Sequence, residues 1–266
     1  MTIRHSNFRS VVVLALMIGT AALTGARAFA DPVRQENSHQ RDGQIQAAIM
    51  ASLNADRFKS VQVSVKNGVV DLLGTVELYA YKEEVDKKAH RNKDATALRN
   101  QIQVAGPQAS DEDLQKKLVE KVEYDRVGYG TTAFNAISVR VHDGVVTLGG
   151  HAYGPIDKDS ALSLASYTKG VRDVIDEIEV DPVSPMDDRI RIQVARSVYG
   201  FPSLNKYAID PGKPIRISVQ NGNVTLFGAV DSKADKDIAG IRANSVSGVF
   251  KVTNELEVQG EGTQRE

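Results

Sequence analysis

The chain has 266 residues, with 33 basic and 34 acidic side chains and no cysteine. The absence of cysteine excludes disulfides, thiol catalysis and thiolate metal sites. The near-neutral charge gives no general attraction to nucleic acid or to an anionic surface. The fold must therefore be held together by packing and hydrogen bonds alone.

The first 30 residues have the three parts of a secretory signal peptide. Arg4 and Arg9 form a basic start, an apolar run extends over residues 11–23, and Ala28-Phe29-Ala30 supplies the small-x-small cleavage pattern. We expect cleavage after Ala30. A membrane anchor is the alternative, but the run is shorter than the about 20 residues that a span needs. The leader carries three arginines and no acidic residue, so its removal changes the net charge from −1 to −4.

An eight-residue phrase then occurs three times. It reads NGVVDLLG from Asn67, DGVVTLGG from Asp143 and NGNVTLFG from Asn221. Repetition at this spacing indicates one small module written three times. We divide the chain into a signal peptide (1–30), a flexible polar lead (31–43), three modules (44–106, 110–181 and 186–259) and a disordered tail (260–266).

Each module predicts the same order of elements. An amphipathic helix opens it, with apolar residues three and four apart. Alternating β-branched residues such as Val61, Val63 and Val65 predict a strand with one buried face. The Asn-Gly or Asp-Gly pair predicts a two-residue hairpin turn before a second strand. A second helix and a third strand follow. The fold class is therefore α+β, with three tandem αββαβ modules, each a three-stranded sheet packed on two helices.

Glycines recur at matching places in the three copies and are assigned structural roles. The first glycine of each phrase belongs to the hairpin turn, the last is expected where the second strand ends, and two further glycines precede the last strand. These positions are Gly68, Gly74, Gly144, Gly150, Gly170, Gly222, Gly228 and Gly248.

The repeated phrase, followed by a helix and then by Gly248-Val249-x-x-Val252-x-Asn254-x-Leu256, resembles the BON domain (bacterial OsmY and nodulation). Gly170-Val171 opens the same pattern in the second module, whereas the first has Asp94-Ala95 at that place. This departure puts in doubt the shape of the turn before the last strand of the first module. The resemblance covers nearly all of residues 44–258.

The resemblance implies a non-enzymatic protein of the periplasm or envelope surface. It also implies a role in osmotic or envelope stress and, for some members, phospholipid binding. The absence of cysteine fits a bacterial periplasm. We therefore expect a periplasmic protein whose partner is a phospholipid membrane surface or an envelope protein, with no nucleic acid, small-molecule substrate or cofactor. The rival hypothesis is a soluble periplasmic chaperone-like protein that binds unfolded clients.

No reaction centre is predicted. His142 and His151 flank one strand and could lie near each other beside Asp143, but a lone histidine pair specifies little. The glycine-rich segments lack the spacing of a phosphate loop, and no nucleophile elbow occurs. We assign no catalytic and no metal-binding residue.

Two segments are candidates for contact with a partner or a membrane. The third module carries an insertion over residues 199–214, and the second a shorter one over 127–134; loops that hold aromatic residues often bind. The alternative is that these residues fold back onto a core. The second helix of the first module has a basic, tyrosine-bearing character that could face lipid head groups or simply solvent. The candidate residues are Tyr199, Phe201, Leu204, Tyr207, Tyr129, Tyr79 and Lys82.

Overall fold

The computed structural model describes residues 32–106 and 109–260. The predicted signal peptide lies outside the described residues, as do residues 261–266 of the predicted tail. Within the described ranges the α+β prediction is confirmed, because helix, strand, strand, helix and strand follow one another three times. No helix in these ranges combines the length and apolar character needed to cross a membrane.

The elements of the three modules differ mainly in how their last strands are divided. The first module consists of α1 (Pro32–Ser52), β1 (Val61–Lys66), β2 (Val69–Val76), α2 (Tyr79–His90), β3 (Ala97–Asn100) and β4 (Gln103–Val104). The second consists of α3 (Asp111–Glu123), β5 (Ala136–His142), β6 (Val145–Ala152), α4 (Pro155–Ser166) and β7 (Asp173–Val180). The third consists of α5 (Pro185–Tyr199), β8 (Arg216–Gln220), β9 (Asn223–Phe227), β10 (Ala229–Val230), α6 (Lys233–Asn244), β11 (Lys251–Asn254) and β12 (Glu257–Val258).

The second strand lies at the centre of each sheet. The first strand pairs with it antiparallel through the predicted hairpin, and the third runs parallel on its other side. The turn residues have the positive φ angles of such a hairpin, for example 51° at Asp143 and 73° at Gly144. Parallel neighbours need a crossover connection. The second helix of each module makes this crossover, so both helices cover the same apolar face.

Each module has its own apolar core, built from the strand residues that alternate inward and from the inner stripes of both helices. The central strands supply fully buried pairs in all three cores: Val70 and Leu72, Val146 and Leu148, and Val224 and Leu226.

The first helix begins earlier than the sequence predicted. The sequence predicts a flexible lead over residues 31–43, but α1 starts at Pro32 and is continuous to Ser52. Proline is favoured in the first helical turn, where its missing N–H costs nothing, and the polar residues that follow it are mostly compatible with helix. Residues 39–41 are exposed on this helix, so their polarity reflects contact with solvent and not a lack of structure.

The last glycines of the repeated phrases do not all end a strand. β2 and β6 continue past Gly74 and Gly150, while β9 does end just before Gly228. All three glycines have positive φ, and a Cβ on Gly74 or Gly150 would collide with the carbonyl oxygen of Ser60 or Ala136. The glycine thus lets the central strand bend where its antiparallel partner begins.

The turn before the last strand of the first module differs from the other two. Gly170 and Gly248 have φ angles of 98° and 90°, whereas Asp94 does not adopt a positive φ. The hydrogen bond from this turn to the hairpin is nevertheless preserved. The Thr96 N–H donates to the Gly68 carbonyl at 2.8 Å, as the Arg172 N–H does to the Gly144 carbonyl at 2.9 Å.

Candidate functional site

A carboxylate on the first helix of each module holds the hairpin turn. Asp42 accepts from the N–H groups of Asn67 and Gly68 at 2.7 and 2.8 Å. Asp111 and Asp187 do the same for the second and third turns. These bonds lower the pKa of Asp111, because they stabilise its charged form. The contact was not predicted from the sequence, although an aspartate precedes the polar residue that reaches the first strand by four positions in all three helices.

One helical turn later, a polar side chain reaches the first strand. Gln46 donates to the Val63 carbonyl, and Gln115 accepts from the Val141 N–H. In the third module the residue is Arg191, which donates to the Val219 carbonyl at 2.8 Å. The three positions are equivalent, but only the last carries a charge.

Arg191 is buried because the end of the second module covers it. Its guanidinium lies 3.1 Å from Asp181, which ends that module, and 2.5 Å from Asp188 on its own helix. Both Arg191 and Asp181 are almost fully buried. Asp181 also accepts from the Val219 N–H and from the Ser218 hydroxyl. The junction between modules two and three therefore contains a buried ionic cluster.

The two insertions meet at this same junction. Phe134, from the insertion of the second module, packs against the core of the third. Arg216, just after the third-module insertion, donates to the carbonyl oxygens of Thr132 and Asn135 at 2.9 and 2.8 Å. Burial lowers the pKa of Arg216. A cleft of about 310 Å³ remains between the insertions, with Val127 and Tyr199 in its lining.

The structure corrects the expectation for the third-module insertion at Leu204 and Tyr207. Leu204 is fully buried in the core. The Tyr207 hydroxyl donates to Asp235 at 2.8 Å and accepts from the Asp231 N–H at 2.7 Å. Both side chains fold back onto the core of their own module. They are not exposed for a partner.

The remaining aromatic candidates are placed differently. Tyr199 and Phe201 are half-buried against the third core, and the Tyr199 hydroxyl donates to the Ile215 carbonyl at 2.6 Å. Tyr129 is exposed, with the Arg126 guanidinium 4.1 Å from its ring centroid. Of the insertion residues named from the sequence, only Tyr129 presents most of its surface to solvent.

The helix candidates Tyr79 and Lys82 lie on α2, beside the second module. Tyr79 packs against the core of that module, and its pKa is raised by burial and by nearby carboxylates. Lys82 is half-buried. Tyr81 meets Tyr167 edge-to-face, and Lys169 pairs with Glu77 at 2.5 Å. The junction between modules one and two is therefore more exposed than the one between modules two and three.

The two histidines singled out from the sequence do not come together. His142 lies next to the hairpin turn, with an exposed side chain, while His151 pairs with Ala136 at the opposite end of the same hairpin. Within residues 32–106 and 109–260, no group of three or more possible metal ligands was found.

The turn end of the third module carries exposed apolar side chains that were not predicted from the sequence. Phe250 is 81% exposed and lies over Gly222. Met186, in the first turn of α5, is 61% exposed, and Val183, just before α5, is 86% exposed. Asp187, the neighbour of Met186, is bonded to the same turn, so Met186 and Phe250 lie at the same end of the module. We call Val183, Met186 and Phe250 the module-three tip. In the other modules the position of Phe250 holds Thr96 and Arg172.

Basic side chains adjoin the module-three tip. Arg189 and Lys251 are exposed beside it. Two carboxylates of the same region already have partners. Asp187 accepts hydrogen bonds from the turn, and Asp188 pairs with Arg191. The tip thus combines exposed apolar side chains with exposed basic ones, a combination suited to the surface of an anionic bilayer.

The fold and its contacts define a tandem array of αββαβ modules, the third of which exposes apolar and basic side chains at its turn end. The sequence profile of the BON domain matches residues 41–106, 110–182 and 203–260. The chain belongs to the BON domain family. The third match begins within the insertion, although α5, which precedes it, packs on the same core.

Two curated proteins are similar to this chain. Osmotically-inducible protein Y of Escherichia coli K12 is 28% identical over 145 residues, covering 53% of this chain and 71% of that protein. Outer membrane lipoprotein DolP of Haemophilus influenzae is 28% identical over 151 residues, covering 55% of this chain and 74% of that protein.

Among solved structures, CdsD, a structural protein of the type III secretion system of Chlamydia trachomatis, was matched at 14% identity. The match covers 81% of this chain and 90% of that chain, with a TM-score of 0.23.

Proposed function

We propose that this protein is a non-enzymatic BON array that binds anionic phospholipid surfaces from the periplasm, as part of an osmotic or envelope stress response. The names of its relatives, an osmotically inducible protein and an outer membrane lipoprotein, support the setting. The observation that carries the proposal is the module-three tip, in which exposed apolar side chains stand beside exposed basic ones.

The chemistry of the tip predicts shallow, reversible attachment. Phe250 and Met186 can each gain at most about 2 kcal/mol by entering the head-group region. Arg189 and Lys251 can each add about 1 kcal/mol at an anionic surface. These contributions are too small for permanent anchoring but sufficient for a peripheral protein. Linkage to the other modules would add avidity if they also touch the membrane.

Vesicle co-sedimentation tests the proposal. We expect the chain without residues 1–30 to sediment with phosphatidylglycerol vesicles and to remain in the supernatant with phosphatidylcholine vesicles. The double substitution Met186→Ser and Phe250→Ser should abolish sedimentation, and Lys251→Glu should weaken it. Ile209→Ser is the matched control, because Ile209 is 75% exposed in the same module but lies in the insertion at the other end.

Failure of the unsubstituted protein to sediment with anionic vesicles would refute the proposal. If the protein then suppressed the aggregation of an unfolded client, the chaperone-like alternative would be favoured. If Ile209→Ser or Tyr129→Ser abolished sedimentation while the tip substitutions did not, membrane binding would stand and its site would be the insertions.

A further inference from the structure

One guanidinium serves two carboxylates at the junction between modules two and three. Asp181 and Asp188 both contact Arg191, so two carboxylates share one guanidinium. Asp181 has no solvent-accessible side-chain surface, and Arg191 has 1%. Asp188 is 39% exposed, so water stabilises part of its charge, but it competes with the buried Asp181 for the same guanidinium. Asp181 has no such access to water, and burial of a carboxylate is costly unless it is well paired.

His151 is placed to supply Asp181 with a second positive charge. Its Nδ1 lies 3.5 Å from Asp181 Oδ1 and 3.9 Å from Glu179 Oε2, and its ring is tilted over Phe227 at 5.6 Å between centroids. The side chain remains 23% exposed, so protons can reach it. The charged groups that act on the imidazole are acidic, because Glu255 of the third module joins Asp181 and Glu179 of the second.

His151 is a residue of the second module, whereas Gln220 and Phe227 beside it belong to the third. Gln220 Nε2 lies 3.1 Å from Nδ1 and also donates to Asp181 at 3.0 Å. Neutral Nδ1 can accept from this amide. Protonated Nδ1 instead donates to a carboxylate, which strengthens the contact with Asp181. The protonation state of one side chain therefore changes the bonding across the junction.

We propose that His151 is a proton-sensitive clamp that tightens the junction between modules two and three when protonated and loosens it when neutral. Through Asp181, the clamp acts on the Val219 N–H and on Arg191, and so on the first strand and first helix of the third module. This inference does not depend on membrane binding.

The direction of the pH dependence follows from the surroundings of the two groups. The hydrogen bond to Asp181 and the surrounding carboxylates raise the pKa of His151 despite partial burial. Stabilisation by protonated His151 is thus fully present below its ordinary pKa, and it is lost as the pH rises through the raised value. Burial opposes ionisation of Asp181, but its hydrogen bonds and Arg191 lower its pKa, so this carboxylate stays charged throughout that window.

Hydrogen exchange at two equivalent amides tests the clamp on the chain without residues 1–30. The Val219 N–H bonds to Asp181 at the junction, while the Val141 N–H bonds to Gln115 within its own module. We expect the protection factor of Val219 to fall several-fold between about pH 6 and pH 8, across the range in which histidine titrates, and that of Val141 to stay constant. In His151→Gln, Val219 should show the lower protection at both pH values. His142→Gln, which changes an exposed histidine, should behave like the unsubstituted protein.

An unchanged pH dependence in His151→Gln would overturn the proposal, as would equal responses of Val219 and Val141. If His151→Gln failed to fold, Glu179→Gln would decide the matter. Glu179 is largely exposed, and loss of its charge should move the midpoint of the Val219 transition to lower pH. A midpoint that did not move would also refute the clamp.

Discussion

The carboxylate of Asp187 accepts a hydrogen bond from the main-chain N–H of Gly222 at 2.8 Å. This contact joins the start of α5 to the hairpin turn between β8 and β9 of the same module. It recurs between Asp42 and Gly68 and between Asp111 and Gly144. The hydrogen bond fixes the helix against the sheet and places Met186 at the same end of the module as Phe250.

Removal of the Asp187 carboxylate should destabilise the protein. Asp187→Ala leaves two turn N–H groups without acceptors, one of them buried, and we expect a loss of about 2 kcal/mol in the free energy of unfolding. Urea unfolding followed by circular dichroism measures it. Asp111→Ala is the matched comparison and should cost less, because water can replace the carboxylate at that more exposed turn. Equal losses at both sites would contradict this account.

The bend in the central strand should not tolerate a side chain. We expect Gly150→Ala to destabilise by more than about 2 kcal/mol, since it combines a positive φ with a main-chain collision. Gly128→Ala separates the two causes, because Gly128 has a φ of 94° but a Cβ added there would meet no atom within 4 Å. It should cost only about 1 kcal/mol. Thermal unfolding of both variants gives the comparison.

The Asp181–Arg191 pair should behave as a coupled unit. Arg191→Met leaves the buried Asp181 carboxylate without its guanidinium partner, and we expect a loss of about 3–5 kcal/mol in the free energy of unfolding. Adding Asp181→Asn to that variant should recover part of the loss, since it removes the unpaired charge. A double-mutant cycle in urea measures the coupling. Strict additivity of the two substitutions would show that the pair makes no specific contribution.

The hydroxyl of Tyr207 should contribute to stability and not to binding. Tyr207→Phe breaks its bonds with Asp231 and Asp235 and leaves the core packing intact, so we expect a loss of about 1–2 kcal/mol. Tyr129→Phe removes a hydroxyl from an exposed ring and should leave the melting temperature unchanged. Vesicle binding by Tyr207→Phe should equal that of the unsubstituted protein. A selective loss of binding would restore the insertion as a contact surface.

Much of the fold could be predicted because its signals are local. The period of the apolar residues and the Asn-Gly or Asp-Gly pairs specify strands, helices and hairpins over a few residues. Polarity was a poor guide to the lead, because a solvent-exposed helix such as the start of α1 is also polar. The expectation for Leu204 and Tyr207 was wrong for a related reason. An irregular aromatic segment has the same composition whether it binds a partner or covers a core.

The three αββαβ modules of the BON family follow from the amino-acid sequence alone, since each module repeats its own local pattern. How the modules meet and what they expose depends instead on tertiary packing. Asp181 and Val219 are 38 residues apart, and His151 and Gln220 are 69 apart. Contacts at such separations arise where one module packs against another, which no local pattern encodes. The exposure of Phe250 has the same origin, because a single aromatic residue in a turn reaches solvent only if no neighbouring module covers it.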